Sequence, residues 1–190
     1  MIEGWYRLYF CVILFLLGDD DIKQQKHANW WLLLAAGVML LLFISSAQTY
    51  QQQTAVPFLQ RWLQHQPFKT QLATIHFTYA GQPISVSHSG YFKFIEFFIR
   101  KAAHFGSYFL IGLGGYMGYQ QRIQQTELTM VVVWLAATGY AALDEFHQSL
   151  TGGRTPLFQD VILDASGALL AILLAWIITQ LRQYHGKKAA

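Results

Sequence analysis

Residues 142–164 read ALDEFHQSLTGGRTPLFQDVILD and hold six ionisable groups: Asp144, Glu145, His147, Arg154, Asp160 and Asp164. The run before them, residues 128–143, carries no charge, and neither does the run after them, residues 165–181. Two apolar segments joined by a short polar connection predict two helices running in opposite directions, with the titratable groups gathered where they meet. Such an arrangement costs little in water and much in hydrocarbon, so the solvent must be settled first.

Composition settles it. The chain of 190 residues is 54% hydrophobic and 16% aromatic, but only 12% charged, against about 25% charged in soluble domains. That balance predicts an integral membrane protein. The net charge of +3 is spread along the chain, without the basic cluster that nucleic acid requires, so no nucleic-acid partner is expected. Cys11 is the only cysteine; an internal disulfide and a cysteine-based metal site are excluded.

A membrane helix needs about 20 mostly apolar residues to cross about 30 Å of hydrocarbon. Four segments are expected to do so: residues 28–47, 94–119, 127–148 and 157–182. The last three have uncharged stretches of only 15, 16 and 17 residues, which cover roughly 22–26 Å. Their polar flanks must therefore sit at or inside the membrane boundary, unless the bilayer is locally thin. The N-terminal extension, residues 1–27, includes the apolar run 5–17. It carries Arg7, ends in Asp19, Asp20 and Asp21, and lacks a small-residue cleavage site, so it reads as an interfacial or partly inserted helix and not as a signal peptide. A fifth span is the alternative. Residues 183–190 form a short tail.

Residues 48–93 form an excursion between the first two spans. FLQRWLQHQPF (58–68) reads as an amphipathic surface helix opened by Pro57. In ATIHFTYAGQPISVSHSG (73–90), Ile75, Phe77 and Tyr79 alternate with polar residues. AGQP then turns the chain, and Ile84, Val86 and His88 alternate again, which predicts a β-hairpin. The expected fold is thus an all-α integral membrane bundle of about four transmembrane helices with a short extracytoplasmic hairpin.

Alternating span direction places the start of the second helix, the end of the third and the start of the fourth on one side. Arg100, Lys101 and His104 open the second; Asp144, Glu145, His147 and Gln148 close the third; Asp160 and Asp164 open the fourth; Arg154 lies in the connection. Residues three and four apart share a helix face. Arg100, His104 and Tyr108 form one stripe, Asp144 aligns with His147 and Gln148, and Asp160 aligns with Asp164 and Gly167. Gly112, Gly114, Gly115 and Gly118 in the second helix and Gly139 in the third suit close helix approach. An unpaired charge in hydrocarbon costs at least about 2.5–3.5 kcal/mol, so Arg100, Lys101 and Arg154 are expected to form a mutual network with Asp144, Glu145, Asp160 and Asp164. One of Asp160 and Asp164 should have a raised pKa unless Arg154 or a lysine lies between them. Aspartate at a helix start also suits the helix dipole, a purely structural benefit.

Orientation is read from lysine and arginine. With the N-terminus inside, inner segments carry Arg7, Lys23, Lys26, Arg122, Arg182, Lys187 and Lys188. Outer ones carry Arg61, Lys69 and Lys93 besides the three cluster cations. Both termini are therefore expected in the cytoplasm, with the polar cluster facing out.

RKAAHFGSYFLIGLG (100–114), ALDEFHQSLTGGRTPLFQDVILDASGALLA (142–171) and the Ser-Ser of LLLFISSAQ (40–48) together resemble the VanZ-like family of bacterial membrane proteins. The linked pattern K-x-x-H-F…D-E-x-H-Q…G-R…D-x-x-x-D carries the resemblance over about residues 30–182. It implies about four helices in the bacterial cytoplasmic membrane and a link to teicoplanin-type glycopeptide resistance or to cell-envelope maintenance. The polar signature it carries over is Lys101, His104, Asp144, Glu145, His147, Gln148, Arg154, Asp160 and Asp164.

Three functions are compatible with these residues. The first is a binding or shielding protein whose outward polar pocket takes the head group of a lipid-linked wall precursor or a lipid-tailed antibiotic; membrane lipids are the expected partners. The second is an intramembrane enzyme using His104 or His147 with carboxylates on a lipid phosphate. In that reading His and Asp could hold a divalent metal, although no metal or cofactor is otherwise expected. Neither HExxH nor GxSxG occurs, and Ser107, Ser149 and Ser166 have no evident triad, so catalytic residues are not assigned. The third is a proton-coupled transporter, which ranks last because the polar groups stop at one end. The purely structural alternatives are that Arg100 and Lys101 are interface anchors and that Asp144 and Arg154 form only a structural pair.

Overall fold

The computed structural model describes residues 19–123, 125–150 and 156–189. The apolar run 5–17 and Arg154 lie outside the described residues. Among the described residues four long helices form the body: α1 (Asp19–Ser46), α6 (Tyr91–Tyr119), α7 (Thr126–Leu150) and α8 (Phe158–Ala189). Between α1 and α6 lie four short helices, α2 (Tyr50–Gln53), α3 (Val56–Trp62), α4 (Lys69–Leu72) and α5 (Val86–Ser89), and a hairpin of β1 (His76–Tyr79) and β2 (Gln82–Ser85).

Among the described residues, three helical segments are long and apolar enough to cross a membrane: Gln25–Ser46 in α1, Thr126–Leu150 in α7 and Phe158–His185 in α8. Their large apolar side chains point outward. Leu41, Phe43, Leu135, Leu143, Ile162 and Leu174 are exposed, while the core holds small residues such as Ala137, Ala141, Ala168 and Ala171. An apolar exterior of this extent is stable only against lipid or another apolar surface. Helix α6 is less apolar, with Lys93, Glu96, Arg100 and Lys101 in its first half and several glycines and tyrosines in its second.

Helix α6 is the hub, packed against α1, α7 and α8. Four of its glycines are divided among these three neighbours. A Cβ on Gly112 would lie 2.5 Å from the Ala168 carbonyl oxygen of α8, one on Gly114 2.7 Å from the Trp31 carbonyl oxygen of α1, and one on Gly115 2.7 Å from Val133 of α7. Gly167 of α8 answers from the other side, 2.5 Å from the Phe105 carbonyl oxygen. Backbones this close need residues without side chains. Gly139, expected to do the same, faces open space.

The excursion folds back onto α6. Leu63, Leu72, Ile84 and Val86 pack on Tyr91 and Phe94 to make a small second core, so the first turns of α6 belong to the excursion. Glu96 is 1% exposed and accepts a hydrogen bond from the Ala55 amide at 2.6 Å. In the hairpin, Phe77 pairs with Ile84 and Tyr79 with Gln82. Ala80 and Gly81 turn with φ of +49° and +77°, the left-handed pair that a two-residue type I′ turn needs. Two expectations change. The second strand stops at Ser85, because the Ser85 hydroxyl accepts the His88 amide and caps α5; Val86 and His88 are therefore helical. The surface helix ends at Trp62, with the chain then breaking at Gln66 and Phe68 through positive φ.

Candidate functional site

The C-terminal ends of α1 and α7, the N-terminal end of α8 and a segment ten residues into α6 meet at one end of the bundle. Two layers of polar contacts join them.

The outer layer centres on Asp160. Lys101 Nζ lies 2.6 Å from Asp160 Oδ1, and the Tyr79 hydroxyl donates to the same oxygen at 2.5 Å. The Lys101 ammonium also sits 4.7 Å above the Tyr79 ring and 5.5 Å from the Phe97 ring, a cation–π contact on two sides. Lys101 thus pairs with Asp160 alone, and Asp164 has His104 as its partner. Glu145 accepts the Leu157 amide at 2.7 Å, which ties the end of α7 to the approach of α8. Arg100 donates to Gln53 at 3.4 Å, and Gln53 in turn donates to the Ser45 hydroxyl at 3.0 Å.

The inner layer is more deeply buried. Ser46, Asp144, Gln148 and Asp164 are all buried. The Ser46 hydroxyl donates to Asp144 Oδ1, and Gln148 Nε2 donates to Asp144 Oδ2 and Ser46 Oγ, each at 3.2 Å. His104 Nδ1 lies 3.3 Å from Asp164 Oδ2. Below them Tyr108 is fully buried. Its hydroxyl and Asp164 Oδ1 have no hydrogen-bond partner among the described residues, a deficit of about 1–3 kcal/mol each. Asp144 and Asp164 both act electrostatically on His104 and Tyr108. The His147 ring stacks on Phe43, 4.6 Å between centroids and 11° between planes.

Every described residue of the expected cluster therefore reaches this end of the bundle: Arg100, Lys101, His104, Asp144, Glu145, His147, Gln148, Asp160 and Asp164. Ser46 and Tyr79 are contributors that residue type alone does not single out. Ser46 is half of the Ser-Ser pair, a weak signal. Tyr79 has only its alternation in a strand, which fixes a face of the hairpin but not what that face meets. Among the described residues no three of His, Cys, Asp and Glu gather as metal ligands.

Two cavities adjoin the cluster. One, about 580 Å³, lies between α1 and α6; Val38, Leu41, Leu42 and Leu110 line one end, and Ser45, Gln48, Gln53, Arg100 and His104 the other. The second, about 430 Å³, lies beneath the hairpin and is walled by Tyr79, Gln82, Lys101, Glu145, Gln148 and Asp160. Arg100 lines both.

Burial, and then the hydrogen bond to Asp160 and the charge of that carboxylate, hold the Tyr79 phenol above its ordinary pKa. The bond needs the protonated phenol. Its contribution is complete below the unfolded value of about 10 and is lost only as pH climbs through the higher folded value. Amide protection in the hairpin should therefore survive at pH 10. Tyr79→Phe should weaken docking by about 1 kcal/mol, read as about fivefold faster hydrogen exchange across residues 76–85 at neutral pH. Unchanged exchange would show that the apolar contacts alone hold the hairpin.

The sequence profile of the VanZ/LLP1 family matches residues 31–179, a segment that contains every residue of the cluster. No curated protein and no solved structure matches the chain. The segment matched is most of the chain, and the protein belongs to the VanZ/LLP1 family.

Proposed function

We propose that this chain is a four-span protein of the bacterial plasma membrane whose polar cluster faces outward and binds the head group of a lipid-linked or lipid-tailed ligand. α6 supplies the remaining span from about residue 102 to Tyr119, a length of about 27 Å. The first turns of α6 and the excursion then stand outside the hydrocarbon, and both termini lie in the cytoplasm. The reading rests on one observation above all: costly polar groups from four helices sit together beside cavities that carry Arg100 and Lys101. Cations of this kind suit a phosphate or carboxylate. Given the family, a lipid-linked wall precursor or a teicoplanin-type antibiotic is the fitting ligand class, and resistance or envelope maintenance the fitting role.

Lys101→Ala should abolish any gain in teicoplanin resistance conferred by the gene while membrane levels of the protein stay constant. Resistance unchanged in that variant sinks the reading. For topology, cysteines at the exposed positions 65 and 76 of the excursion should react from the outside, and one at the exposed position 122 only after permeabilisation.

One observation favours an enzyme instead. His104 is held by Asp164 at one ring nitrogen and lines the same cavity as Ser107, one turn further along α6. His104 would then act as a general base on a lipid phosphate. Incubating purified protein with a labelled lipid phosphate decides the matter: turnover lost in His104→Gln supports catalysis, and no product from the wild type excludes it.

A further inference from the structure

The cavity between α1 and α6 is graded along its length. The two helices are antiparallel here, so the leucines of both lie at the same end and the polar groups of both at the other. From Arg100 to Leu110 the groove runs about 15 Å. Leu41 and Leu110 are exposed on its lips, so the apolar end communicates with whatever surrounds the bundle. Its ionisable lining consists of Arg100 and His104, with no carboxylate. An amphiphile entering sideways would meet hydrocarbon walls first and a guanidinium last. The cavity under the hairpin differs: Gln82, Gln148, Glu145 and Asp160 offer amides and carboxylates that accept from hydroxyls, and Tyr79 offers a ring face.

We infer that the α1–α6 groove seats the acyl chains of an anionic lipid phosphodiester, that Arg100 holds its phosphate, and that a hydroxylated head lies beneath the hairpin. This rests on the outward-facing lipid-ligand reading above and narrows it to a ligand class and a side door. Arginine binds phosphate through two parallel charge-assisted hydrogen bonds; the chains, already in hydrocarbon, add van der Waals packing against the leucines and hold the head at the site. Arg100 and Lys101 also line this cavity, but Lys101 is paired with Asp160 and Arg100 is assigned to the phosphate, so Glu145 is left to oppose a second anionic group, which favours a neutral, hydroxyl-bearing head.

The test is native mass spectrometry of the full chain in detergent, titrated with dioleoyl phosphatidylglycerol, dioleoyl phosphatidic acid, dioleoylglycerol or glycerol 3-phosphate. Phosphatidylglycerol should be retained at least about tenfold over dioleoylglycerol, which lacks the charged bond, and severalfold over phosphatidic acid, which lacks the head. Glycerol 3-phosphate alone should not bind. Ala103→Trp, which fills the groove from an exposed position, and Arg100→Gln should each lower retention about tenfold, and Arg100→Lys less. Ala136→Trp, in the separate apolar cleft between α1, α6 and α7, should leave it unchanged and serves as the control for bulk at a lipid-facing site. Retention of phosphatidylglycerol that ignores both Ala103→Trp and Arg100→Gln overturns the seat while the lipid-ligand reading stands. Equal retention of dioleoylglycerol overturns the phosphate assignment, equal retention of phosphatidic acid overturns the head assignment, and tight binding of glycerol 3-phosphate overturns the lipid origin. No retention of any lipid overturns this inference and the reading beneath it.

Discussion

Gly167→Val is expected to lower the stability of the helical bundle by about 3 kcal/mol, at the upper end of what overpacking usually costs. The first new carbon would lie 2.5 Å from the Phe105 carbonyl oxygen. That atom belongs to the backbone of α6, so no side-chain rotation relieves the contact and the two helices must separate. Gly112 and Ala168 meet in the same way a few residues along the same interface, so separation there opens the whole seam. Gly167 is three residues after Asp164 on one face of α8. Moving α8 therefore also draws Asp164 from His104, and ligand retention should fall together with stability. Thermal unfolding followed by size-exclusion chromatography measures the first effect. A variant that melts with the wild type would mean that the α6–α8 approach is not tight. Gly139→Ala is the matching control and should be neutral, because no atom lies within 4 Å of the added carbon.

The second large effect is expected from His104→Leu. Asp164 is 3% exposed, and its only described hydrogen-bond partner is His104. Removing His104 leaves the buried carboxylate without this partner, at a cost of about 3 kcal/mol, the upper end for a stranded buried polar group, whereas replacing both with apolar residues is far milder. The double variant His104→Leu/Asp164→Leu should thus recover most of the stability lost in the single one, while ligand binding or turnover stays lost in both. A double-mutant cycle on thermal unfolding reads the coupling. Additive losses would show that His104 and Asp164 act independently.

The two predictions separate what holds the helices from what the helices hold. Glycines set how near the backbones come, and that distance decides whether side chains on facing helices can pair. The polar end is consequently more dependent on the packing beneath it than its own contacts suggest.

Much of the architecture is legible in the residues. Uncharged runs bounded by polar flanks mark the long helices, because apolar length is a local property of the chain. Connectivity alone sends residues 100–104, 144–148 and 160–164 to one end, and helical spacing orders each set into a stripe. The glycines of α6 announce close packing, though not that three different neighbours share them. Alternation in residues 73–85 marks the hairpin. It misleads past Ser85, where a hydroxyl that caps a helix looks no different from one that alternates in a strand.

Only the tertiary structure decides the partners. Lys101 joins Asp160, His104 joins Asp164, and Ser46 joins Asp144, although charge balance permits several other pairings. The choice depends on how far each helix is rotated about its axis and how close its neighbour lies, and both follow from contacts between residues dozens of positions apart. The return of Tyr79 onto Asp160 across 81 residues, and the two cavities that meet at Arg100, arise the same way. The sequence by itself determined which side chains hydrocarbon would not tolerate unpaired and at which end of the bundle they gather, because helix length, spacing and desolvation cost are written residue by residue. Which of them touch, and what space they enclose, was decided by the fold, because interhelical distance and rotation belong to no single segment.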